Sequence, residues 1–130
     1  MRNFVFLLTL GLFFHSCVPI GISSKYNIEE LSFGSGGGFT GNVTMFRLTS
    51  DGTLYKNENF FKKISKKKLH NLYHDANTFK DFRLNSPDNI YSFIHIKSKM
   101  STNRIVWSIS TPNMDSNFIH LYKNLMSLTK

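Results

Sequence analysis

Residues 42–57, NVTMFRLTSDGTLYKN, have the signature of a β-hairpin. Thr44, Phe46 and Leu48 alternate with Val43, Met45 and Arg47, so the two sets point to opposite faces of one strand. Ser50-Asp51-Gly52 is a tight turn, because Asp-Gly accepts the positive φ that hairpin connections need. Thr53–Lys56 is then the returning strand. Upstream, Ile28–Phe33 (IEELSF) ends in the alternation of Leu31 and Phe33 and reads as another strand. The stretch from Ile28 to Lys56 is therefore expected to form three antiparallel strands. A glycine loop within FGSGGGFTGN, Phe33 to Asn42, joins the first two.

Beyond Asn59 the period changes. In FFKKISKKKLHNLYHDANTF, Ile64, Leu69, Leu72, Tyr73, Ala76 and Phe79 approximate one helical stripe, with Ser65 placed to cap it. Lys66, Lys67 and Lys68 crowd its first turn, where the helix dipole disfavours cations by a few tenths of a kcal/mol each. RLNSPDNI reads as a loop from its Pro, Asn and Asp content. A second hairpin follows. Ile90, Ile94 and Ile96 oppose Tyr91, Phe93 and His95, MSTN turns, and Ile105, Trp107 and Ile109 share a face on the return. Phe118, Leu121, Leu125 and Leu128 are spaced for a closing helix, whose start is marked by Pro112 with Asn113 or Asp115. The order is βββ-α-ββ-α, an α+β fold: an antiparallel sheet of about five strands with two helices packed on one face.

Five of the ten residues from Phe33 to Asn42 are glycine, and Gly36, Gly38 and Gly41 match GxGxxG. A dinucleotide fingerprint needs a helix next, so that the pyrophosphate meets its N-terminus; here a strand follows. A P-loop ends in Gly-Lys-Ser/Thr, whereas this segment ends in Thr-Gly-Asn. The glycines are better explained by backbone geometry, positive φ and close approach at a sheet edge or bulge, with Phe39 as an anchor for the loop. Gly36, Gly37, Gly38, Phe39, Thr40 and Gly41 are the candidate binding loop.

Other chemistry lacks its parts. His70 and His74 stand at i and i+4, a spacing that can bind zinc, but Asn71 occupies the place of a zincin's general base. Two surface histidines are the simpler reading. The GSG at Gly34–Gly36 is not a nucleophile elbow, and Glu29 and Glu30 point to opposite faces of a strand. No catalytic residue, metal or cofactor is assigned. Lys62, Lys63, Lys66, Lys67 and Lys68 form a dense basic run, either a solvated face or a contact for an anionic surface. Aromatics that would stack bases are not interleaved with it, so nucleic acid is not an expected partner.

The N-terminus reads MRNFVFLLTLGLFFHSC. Arg2 precedes an apolar run from Phe4 to Phe14, too short for the roughly 20 residues of a membrane span and suited to a signal peptide. Phe14-His15-Ser16-Cys17 resembles the lipobox of bacterial lipoproteins, with Phe14 where Leu is usual. Cys17 is the only cysteine, so it has no partner for an intramolecular disulfide, and acylation would give it a role. The alternative is ordinary signal-peptidase cleavage nearby. The chain divides into a signal peptide (1–16), a tether (17–26) and one α+β domain (27–130). Removing the leader takes away Arg2 and no acid, leaving a strongly basic protein. For an anchored protein the membrane is the nearest anion.

ELSFGSGGGFTGNVTMFRLTSDGTLYK (Glu30 to Lys56), followed by the lysine-rich helix and a late IVW, resembles small uncharacterised bacterial lipoproteins that share an FGxGGGFTG segment. The resemblance implies export and lipid anchorage and assigns no activity or site residue. Together these readings predict an envelope lipoprotein facing the periplasm, held to the membrane through Cys17. Its expected role is a non-enzymatic binding or interaction module for an envelope protein or ligand. A structural envelope component, or an enzyme of unrecognised type, are the alternatives.

Overall fold

The computed structural model describes residues 25–130. The expected signal peptide, Cys17 and most of the expected tether lie outside the described residues. The elements run β1 (Ile28–Gly37), β2 (Val43–Thr49), β3 (Thr53–Lys56), β4 (Asn59–Lys63), α1 (Lys66–Thr78), β5 (Leu84–Ser86), β6 (Ile90–Ser98), β7 (Thr102–Ser108) and α2 (Ser116–Met126), with a closing 3-10 turn at Ser127–Thr129. One seven-stranded sheet takes the order β4-β3-β2-β1-β6-β7-β5, with β1 at its centre.

The fold is α+β with two helices, but the sheet is larger than the expected five strands and is mixed. Strand β4 lies in the segment that sequence periodicity assigned to the approach of α1. It is paired to β3 through Asn57 and Glu58, which both take positive φ without being glycine. That two-residue turn matches the sheet's twist but carries no Asn-Gly or Asp-Gly signal. Strand β5 lies in the expected loop. Its three residues run parallel to β7, with Leu84 opposite Ile105 and Ser86 opposite Trp107. A strand that short, at an edge and just before Pro87, leaves no periodicity to read.

Register sorts the side chains. Leu31 lies between Leu48 and Ile96, and Phe33 between Phe46 and Ile94, so these residues share one face. On that face they form one buried cluster with Leu69, Leu72, Tyr73 and Ala76 of α1 and Phe118, Leu121 and Leu125 of α2. Both helices therefore cover the same side of the sheet. Ser65 caps α1 by accepting from the Lys68 amide, and Asp115 caps α2 by accepting from Asn117 and Phe118 amides. The Tyr73 hydroxyl sits between the carbonyls of Glu29 (3.2 Å) and Leu48 (3.1 Å), locking α1 over the start of β1. Burial, reinforced by the charges of Glu30 and Asp51, holds that phenol well above its usual range. Buried Asn103 donates to the carbonyls of Phe79, Lys80 and Phe82 and ties down the loop after α1.

Candidate functional site

The glycine segment is not one loop. Gly34, Gly36 and Gly37 belong to the central strand, and only Gly38–Asn42 form the connection to β2. The expected close approach is present, in the middle of the sheet rather than at an edge. A Cβ on Gly37 would overlap the Asn89 carbonyl oxygen. The next amide, Gly38, donates to that same oxygen at 2.7 Å, and Gly41 donates back to Gly38 at 3.1 Å. The bare backbone at Gly37 lets β1 and the start of β6 close against each other.

Phe39 does not anchor the loop. It is fully exposed at its tip. Sequence alternation also put Ile109 with Ile105 and Trp107, but β7 ends at Ser108, and Ile109 points wholly into solvent. The chain turns there instead, with Thr111 hydroxyl accepting from the Ser108 amide. Ile90 opposes Gly37 and is 64% exposed, while Val43 opposes Gly36 and is 47% exposed. Tyr91 pairs with Ser108. These registers gather Phe39, Val43, Ile90 and Ile109 at one end of the sheet. Three of the segments forming that end, 38–44, 86–92 and 108–114, contain a single charged residue, Asp88, whose carboxylate accepts from Ser110 at 3.1 Å; the β3–β4 turn, bonded to the Met45 backbone, brings Lys56 and Glu58 to its β4 side.

The opposite end is basic. The chain enters there: Ile28 pairs with Ser98 next to the β6–β7 turn, and Ile64 donates to Gly52 just before α1 begins. The five-lysine run is nevertheless not one continuous surface. Lys63 Nζ lies 2.8 Å from Asp51 Oδ2, Lys62 reaches the Lys130 backbone oxygen at 2.9 Å, and Lys68 approaches Ser127 Oγ. Lys66 and Lys67 are exposed on the first turn of α1. Hydrogen bonds from Lys63 first, then from Thr49 and Thr53, hold the Asp51 carboxyl well below the usual carboxylate range. Tyr26 packs on α1, its hydroxyl 3.0 Å from His70 Nε2 and its ring 6.0 Å from that of His74. The two histidines are thus neighbours of an aromatic. Among the described residues no cluster of three metal-ligating side chains forms.

The helix-free face holds features the sequence reading passed over. Arg47 stacks 4.3 Å from the Tyr55 ring and pairs with Glu58 (2.8 Å) and Glu30 (3.4 Å). Phe93 opposes Gly34 and is only 4% exposed despite lying on this face; the His95 ring stands 4.8 Å away. Burial first, then Arg104, lowers the His95 pKa. The alternation of Tyr91, Phe93 and His95 is the signal that could have marked a second, smaller apolar layer.

No protein-family model matches the chain, and no curated protein matches it. No helix among the described residues is long and apolar enough to cross a membrane.

Proposed function

We propose that the protein is a lipid-anchored envelope binding module, tethered through Cys17 and binding a protein partner with its charge-poor pole. One observation carries the binding end. Phe39 and Ile109 are fully exposed at the same end of the sheet as Val43 and Ile90, which stand exposed on its opposite faces, and the segments that carry these four residues hold one charge, Asp88. Exposed apolar groups gathered without charges resemble the centre of a protein interface, where charged residues are depleted and aromatics enriched. This pole lies at the far end of β1 from the chain's entrance, about 30 Å away for a ten-residue strand. A protein anchored before Lys25 would therefore present it away from the membrane.

Site-specific photo-cross-linking in producing cells tests this. Reactive side chains at positions 39 and 109 are expected to capture the same protein. One at Phe60, exposed on edge strand β4, is expected not to capture it. Ile90→Ser should reduce the product. Identical products from all three positions, or none at 39 and 109, would refute a dedicated binding end.

A further inference from the structure

We propose that the pole where the chain enters is a docking surface for an anionic lipid leaflet, with Met100 as its insertion point and lysines from three separate segments on the same end. The inference deepens the anchor reading and rests on it for the leaflet's proximity. Met100 is 93% exposed at the tip of the β6–β7 turn. A long apolar side chain alone on a turn, flanked by Lys97 and Lys99, is suited to enter the acyl boundary while the ammonium groups stay among headgroups. Lys25 lies at the chain's entrance, and Ile28 pairs with Ser98 at the base of the same turn. Lys66 and Lys67 open α1 beside the β2–β3 turn. The strand order sets these segments across about 20 Å, four strand spacings from β3 to β7.

Charge favours an anionic partner. Of the acids at this end, Asp51 is occupied by Lys63 and Glu30 by Arg47. Glu29 and Asp81 remain, against Lys25, Lys66, Lys67, Lys97 and Lys99, with Lys80 beside Asp81. The position of the preceding chain selects a membrane over a soluble anion. Val18–Ser24 reach at most about 25 Å when extended, so an acyl group on Cys17 keeps this pole near headgroups. The basic run seen in sequence contributes only part of the surface. Lys62 and Lys63 have partners within the fold, and Lys97, Lys99 and Lys25 take their place.

The test uses the full chain purified from producing cells and carrying Met100→Trp; the native Trp107 is buried and supplies a fixed background. Vesicles of phosphatidylglycerol with phosphatidylcholine are compared with phosphatidylcholine alone. On the anionic vesicles, emission from position 100 should shift to the blue and be quenched by brominated acyl chains. High salt should reverse both effects. A Phe39→Trp chain should show neither. Replacing Lys66, Lys67, Lys97 and Lys99 with Gln should weaken the interaction about fivefold per lysine while the circular dichroism spectrum is unchanged. Equal shifts on neutral vesicles, no shift at position 100, or an unaltered response in the Gln variant would overturn the proposal. The mass of the N-terminal peptide from the same preparation reports separately on Cys17, so failure of the anchor and failure of the docking surface are distinguished.

Discussion

Gly37 and Gly38 are adjacent and both take positive φ, yet they are not equivalent. Gly38 has open space where a side chain would go, whereas Gly37 has the Asn89 carbonyl. Gly38→Ala should cost only the left-handed backbone penalty, about 1 kcal/mol. Gly37→Ala adds a backbone clash in the centre of the sheet and should cost roughly 3 kcal/mol or more. Urea denaturation of both variants checks this; equal losses would mean the strands separate easily at Gly37. The sequence showed that this glycine run serves backbone geometry. It could not show which glycines are crowded, because the crowding atoms belong to Thr44, Asn89 and Tyr91, against Gly34, Gly37 and Gly36. Phe39 was misread for a related reason: residue type says it is apolar, and only tertiary structure says nothing covers it. Asp51 offers a pH test. Its carboxyl is depressed by Lys63 and the threonines, so its stabilisation is present above the unfolded value of about 4 and is lost as pH falls through the lower folded value. Asp51→Asn should cost about 1 kcal/mol at pH 7, given the exposure of the pair, and less at pH 3. A gap that does not narrow in acid would show that shape, not charge, is what Asp51 supplies.

Elements with strong periodicity or a recognised turn were legible: the Asp-Gly hairpin, both helices, with Ser65 as a cap and Asp115 as one of two candidates for the other, and the β6–β7 pair. Elements defined by their neighbours were not. Strand β4 exists because Asn57 and Glu58 accept an unfavourable φ, helped by Asn57, which exchanges hydrogen bonds with the Met45 backbone. Glu58→Gly should therefore raise stability by about 0.5 kcal/mol, the relieved backbone strain exceeding the loss of an exposed ion pair with Arg47. Thermal unfolding checks the sign; a lower midpoint would mean the Glu58–Arg47 pair dominates. Strand β5 depends still more on context, since its ladder is supplied by β7 alone. Lysines at the start of α1 oppose the helix dipole, a small local cost consistent with selection for a surface contact rather than for stability.

Considered whole, the molecule has two unlike ends, and neither could be read along the chain. Phe39, Ile90 and Ile109 are separated by as many as seventy positions, and Lys25, Lys66 and Lys99 by a similar span. Strand register brings each set together. What the sequence did carry was an order: an apolar run, a single cysteine after it and then the residues that precede the basic end, which as a leader, an anchor and a tether would give the molecule a direction. The two ends acquire their roles, one toward a leaflet and one toward a partner, only if the chain is fastened at Cys17. Mass spectrometry of the N-terminal peptide of the protein isolated from membranes tests that directly. The account predicts a mature chain that begins at Cys17 and carries a lipid modification on it; an unmodified N-terminus downstream of residue 17 would contradict it.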